Sequence, residues 1–112
     1  MRIEDLDPDQ YLVVVSAGEE GLLWEVLADR EPDIARRPGV LPAMARAVEA
    51  VVAMGLVRLV PVQGWQPVEH TGTAPPAREL LAVPEHWRHD SGVGVQLYLT
   101  DEGYRLLGSP DR

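Results

Sequence analysis

Asp33-Ile-Ala-Arg-Arg-Pro-Gly-Val-Leu-Pro-Ala-Met-Ala-Arg-Ala-Val-Glu-Ala-Val-Val-Ala-Met-Gly-Leu-Val-Arg-Leu-Val60 is the stretch that the rest of this chain must pack around. From Leu41 the apolar residues recur at Leu41, Ala45, Val48, Val52 and Leu56, with Met44 and Val51 beside them. Spacings of three and four draw one stripe along an α-helix. Alanine fills much of the remainder and is the best intrinsic helix former. Pro42 suits the first turn of a helix, where its missing N–H has no intrahelical partner to lose. Gly55 ends the helix, and the β-rich run Leu56 to Val62 follows as a strand. The expected order is a short helix at Ile34 to Arg37, a glycine turn, a longer helix from Leu41 to Met54, and a strand.

On the N-terminal side, Asp7-Pro-Asp is a helix start with Pro8 in its first turn. Tyr11 to Val15 is apolar and β-branched, and reads equally as a buried strand or as a continuation of that helix. Ser16-Ala-Gly-Glu-Glu-Gly breaks the pattern and supplies acids suited to a following helix N-terminus. Leu22, Leu23, Val26 and Leu27, with Trp24, make an amphipathic helix ending near Arg30. On the C-terminal side, Pro61 to Ala77 is rich in proline, glycine and threonine and reads as a long loop. Glu79 to Trp87 is a candidate strand interrupted by Pro84, and Val93 to Leu99 is its expected partner across the turn His89-Asp-Ser-Gly. Thr100 is a good N-cap and Gly108 a good stop for a last short helix. A length of 112 residues is one domain by size, with 46% hydrophobic residues for its core.

The charge is unevenly distributed. The formal net charge is −8, and the first 33 residues hold ten acids against Arg2 and Arg30, which accounts for all of it. Ile34 to Gln63 carries Arg36, Arg37, Arg46 and Arg58 against Glu49, a local +3. An acidic whole repels nucleic-acid phosphates at long range, whereas a basic patch meets them at short range. No cysteine is present, which excludes disulfides, thiolate chemistry and cysteine zinc sites. No apolar run reaches the ~20 residues of a membrane helix, and the acidic start does not match a signal peptide, so a cytoplasmic protein is expected.

Asp33-Ile-Ala with Gly39-Val40, Pro42-Ala43, Arg46-Ala47-Val48 and Gly55-Leu56-Val57 resembles the winged-helix transcriptional regulators of the MarR and PadR kind. Tyr98-Leu-Thr-Asp-Glu-Gly-Tyr-Arg-Leu-Leu107 resembles the passage by which those proteins leave the wing and enter the next helix. The resemblance spans about Leu22 to Leu107. It leaves an acidic N-terminal segment at 1–18 and a long loop at 64–78 as additions. It implies a single α+β domain, a winged helix-turn-helix with a three-helix core, a β-hairpin wing and a short C-terminal helix. It further implies a small, homodimeric DNA-binding regulator with no cofactor. Two features depart from that pattern. The outward face of the longer helix (Ala43, Arg46, Glu49, Ala50, Ala53) offers few of the bidentate donors that read base edges. The distance from Gly55 to Gly103 is about twice that of a compact wing.

Candidate phosphate contacts are Arg36, Arg37, Arg46 and Arg58, with Arg78 and Arg88 in the wing region. The alternative for each is a solvated arginine pairing with the abundant acids, worth ~0–1 kcal/mol. Trp65 and Trp87, in loop and hairpin, are candidates for a protein-binding surface, the alternative for each being packing of the long loop onto the domain. Trp24 is expected in the core. His86 and His89, with Glu85 and Asp90, lack the three or four convergent ligands a zinc site needs. No phosphate loop or nucleophile elbow is present, so an enzyme is not expected. A winged helix turned to protein binding is the alternative function, and an acidic inhibitor or DNA mimic is the third.

Overall fold

A computed structural model of the chain describes residues 1–64, 66–68 and 75–108. It is an α+β structure. A 3-10 turn (Ile3–Asp5) precedes α1 (Pro8–Gly18) and α2 (Leu23–Arg30), and a second turn (Ile34–Arg36) runs into α3 (Arg37–Ala53). Then come β1 (Val57–Gln63), β2 (Gln66–Pro67), α4 (Ala77–Leu81), a 3-10 turn (Pro84–Trp87), β3 (Val93–Leu99) and α5 (Asp101–Leu106). The antiparallel sheet has the order β2-β1-β3, with Val57 opposite Leu99 and Gln63 opposite Val93. On its far edge Leu22 bridges to Gln96.

Tyr11 to Val15 is helical, and the reason lies one turn upstream. Asp7 Oδ1 accepts from the Gln10 amide at 2.8 Å and Gln10 Oε1 accepts from the Asp7 amide at 3.1 Å. This reciprocal cap, with Pro8 at the first position, commits the following β-branched run to helix. Val13, Val14 and Ala17 are fully buried by that choice. They meet α2 and α3 in a core shared with Leu23, Val26, Met44, Val48 and Val51 and with Val95 and Leu97 of the sheet. Truncating fully buried Leu23, Met44 or Leu97 to alanine costs about 2–5 kcal/mol.

Three expectations are corrected. First, α3 begins at Arg37, with Pro38 in its first turn; Pro42 lies in the helix interior and Gly39 makes no turn. Pro42 is on the exposed face, where water can solvate the carbonyl it leaves without a partner. Ile34–Arg36 is a 3-10 turn held by Asp33, whose carboxylate accepts from the Ala35 amide at 3.0 Å. The helix that precedes the turn is therefore α2. Second, Glu19 and Glu20 end α1 and do not start α2, whose cap is the Leu22 amide donating to Glu25 Oε1 at 2.9 Å.

Third, Glu79 to Trp87 is not a strand. Ala-Arg-Glu-Leu-Leu is a run of strong helix formers, and Pro84 opens a 3-10 turn. Both turns point Leu80, Leu81 and Trp87 into the core. The partner of β3 is β1, so the antiparallel pair is closed by the whole segment 64–92, with the Gly64 amide donating to Gly92 O at 2.8 Å. The loop expected at 64–78 contains β2 and the start of α4. No helix among the described residues is long and apolar enough to cross a membrane.

Candidate nucleic-acid interface

Helix α3 presents three sides. Met44, Val48 and Val51 face α1 and α2, and Ala45, Glu49 and Val52 border α4. Gly39, Pro42, Arg46 and Ala53 form an exposed stripe. Arg46 stands in the middle of that stripe, with no acidic partner among the described residues. Glu49, the acid nearest the stripe, is taken by Arg78 of α4, whose guanidinium donates to both carboxylate oxygens at 3.3 and 3.4 Å. That hydrogen bonding, with the Glu49 charge second, holds the Arg78 guanidinium above its ordinary range. Arg46 and Arg78 line one shallow groove of about 220 Å³ between α3 and α4, together with Glu49 and Leu81.

The other candidate arginines go to separate places. Arg36 is the N-cap residue of α3, ~15 Å along the axis from Arg46, and is exposed beside Asp33 at 3.5 Å. Arg37 is nine residues from Arg46, half a turn round the helix, and points back at the connection from α2. Its Nε donates to Glu31 O at 2.8 Å and its Nη2 to Pro32 O at 3.1 Å. This ties the α2–α3 connection to α3, so Arg37 serves the fold first. Arg58 lies on the outer face of β1, its guanidinium carbon 5.4 Å from the centre of the Tyr98 ring. Arg88 is exposed and 3.6 Å from Asp90.

Trp87 is no surface for a partner. It is 5% exposed, and its indole N–H donates to Leu81 O at 2.9 Å. Its apolar area is drawn inward with Leu80 and Leu81, and the one polar atom finds a carbonyl. Trp65 lies outside the described residues. Trp24 is half-buried rather than fully enclosed, with the His89 ring 5.6 Å away. His86 Nδ1 lies 2.6 Å from Leu80 O and so carries the proton that it donates there. The two histidines thus serve different partners, and no group of three or more metal-ligating side chains converges among the described residues.

Sequence reasoning missed the Arg78–Glu49 pair and the backbone role of Arg37. The first depends on tertiary placement, since α4 has no partner until it meets α3, and the second on the turn between α2 and α3, whose carbonyls lie only five and six residues before Arg37. No protein-family model, curated protein or solved structure matches this chain.

Proposed function

We propose that the chain is a winged-helix domain that contacts duplex DNA through the exposed stripe of α3, holding phosphates rather than reading bases. The element order supports the fold: α1, the Leu22 bridge, α2, a turn, α3, and then two antiparallel strands joined across a long connection. The observation that carries the function is Arg46, a cation without an acidic partner among the described residues, on the exposed side of α3 and beside an acid that Arg78 neutralises. Arg36 adds a second exposed cation at the helix start. The stripe has no asparagine, glutamine, serine or threonine, which is why sequence readout is not part of the proposal. A homodimer, the arrangement the resemblance implies, belongs to the same proposal.

A different observation favours a second reading. The segment 75–88 folds back along the flank of α3, so the connection that in a wing would reach outward is spent on covering a helix. Together with the net charge of −8, this favours a winged helix that binds a protein.

Binding to a random duplex, titrated with salt, separates the two. On the DNA reading, affinity falls steeply as salt rises, and Arg36→Ala/Arg46→Ala weakens it while flattening the log–log slope by about one unit for each phosphate no longer held. Absence of binding at low salt would sink DNA contact and leave the protein-binding reading.

A further inference from the structure

We propose that the groove between α3 and α4 binds a phosphate monoester, whose dianion is shared by Arg46 and Arg78. The groove holds about 220 Å³, room for a phosphate and a few carbons rather than for the drug-sized ligands of sites of ~300–1,000 Å³. Ala45, Leu81 and Ala82 make its apolar lining, and Arg46 and Arg78 stand there against the one carboxylate of Glu49, a net +1. Arg46 precedes Glu49 by three residues, which makes the two neighbours on the surface of α3. Arg78 reaches the same carboxylate from α4, so both guanidiniums flank one acid.

Glu49 holds Arg78 loosely. Its contacts at 3.3 and 3.4 Å exceed the ~2.7–2.9 Å of a strong charge-assisted bond, and the Arg78 side chain is 85% exposed. Only an N–H of Nε and one of Nη2 are spent on it, and the rest of the fork remains available. Arg46 is exposed and has no acidic partner among the described residues. The groove is thus already built around an anion, with the Glu49 carboxylate as an internal stand-in that is too small in charge for two guanidiniums. A phosphate monoester carries about −1.5 to −2 at neutral pH and three terminal oxygens, which suits a pair of arginine forks. A backbone diester carries about −1. The larger neighbouring groove, which shares Glu49 and Arg78, adds Glu79 and no further arginine among the described residues, so the anion belongs with Arg46. The groove has Arg46 in common with the DNA face, and its ligand does not depend on whether α3 meets a duplex.

The test is an NMR titration of the isotope-labelled full chain, at neutral pH and constant ionic strength, with butyl phosphate and, separately, with the diester diethyl phosphate. Saturable shifts are expected in residues 45–49 and 77–82 and in the Arg78 Nε–H, with butyl phosphate binding about tenfold more tightly than the diester. Arg78→Gln removes most of that preference. Glu49→Gln acts in the opposite direction: it withdraws the competing carboxylate and tightens butyl phosphate several-fold, an effect that loss of structure cannot produce. Equal affinity for the two probes would mean backbone-type phosphate contact alone and overturns the proposal. Absence of saturable shifts, or a Glu49→Gln variant that binds no better, overturns it equally. A random duplex added in a parallel titration separates this site from the DNA reading. Butyl phosphate binding without duplex binding keeps the groove and removes that reading, and duplex binding without a monoester preference does the reverse.

Discussion

Two helix ends in this molecule are closed by the same hydrogen bonds but by different residues. At the end of α1 the Glu20 amide donates to Ala17 O at 3.0 Å and the Gly21 amide to Ser16 O at 2.9 Å. At the end of α3 the Gly55 amide donates to Val52 O and the Leu56 amide to Val51 O, both at 3.0 Å. Each is a Schellman closure, which needs one residue in the left-handed region. Gly55 occupies it at φ 77° without strain, whereas Glu20 occupies it at φ 57° against the steric preference of any side chain. The α1 corner also places Glu19 and Glu20 at a helix C-terminus, where acids are unfavourable. Local chemistry stabilises one corner and opposes the other.

What holds the strained corner comes from the far end of the chain. Glu20 O accepts from Gln96 Nε2 at 2.9 Å, and Gly21 O accepts from the Leu97 amide at 2.8 Å. The unstrained corner is tied in the same manner: Gly55 O accepts from Thr100 Oγ1 at 2.5 Å and Leu56 O from the Thr100 amide at 3.1 Å. One continuous segment, residues 96–103, therefore seals both helix ends. A corner with a glycine is thus written locally, and a corner without one depends on its tertiary clamp.

The most damaging way to break the second clamp is Gly103→Ala. A Cβ at Gly103 would strike the Leu56 carbonyl oxygen and the Leu99 side chain, and a backbone oxygen beside a sheet has little freedom to yield. A loss of about 2–3 kcal/mol in urea unfolding is expected. A loss below about 0.5 kcal/mol, the range of an uninvolved surface site, would show that α5 swings freely and clamps nothing. Next comes Gly55→Ala. A Cβ there meets open space, so the expected loss of about 1–2 kcal/mol is conformational alone.

Thr100→Ala removes the α5 cap to the Gly103 amide, 3.1 Å away, as well as the bond to Gly55 O. A fall of about 1 kcal/mol in the same assay is expected. The smallest effect has the opposite sign. Glu20→Gly relieves the left-handed strain and removes an acid from a helix end, offset by glycine's greater freedom when unfolded, for a gain of up to about 1 kcal/mol. If it destabilises instead, the α1 corner is not strained and the contrast between the two corners falls.

Much of this was legible in the chain itself. The apolar stripe of α3, the Gly55 stop, the amphipathic α2 and the Thr100 cap all follow from periodicity and from residues whose preferences act within one turn. The helix start at Asp7-Pro8 is equally local, although the β-branched residues after it fit strand and helix alike, and the Gln10 half of its cap appears only in the structure. The α3 start is ambiguous in the sequence because two prolines, Pro38 and Pro42, fit a first turn equally well, and only Pro38 stands there.

The remainder was settled by which elements meet. Ala77 to Leu81 is locally a run of helix formers, but that Leu80, Leu81 and Trp87 turn inward is decided by contact with the core. β1 and β3 pair across the 64–92 segment, a register no local signal encodes. The arginines divide in the same way. Their number and the charge contrast between the first third and the rest belong to the sequence. That Arg78 neutralises Glu49 and that Arg46 is left exposed depend on tertiary contact, because a charge acts over a few ångströms and the sequence does not contain those distances.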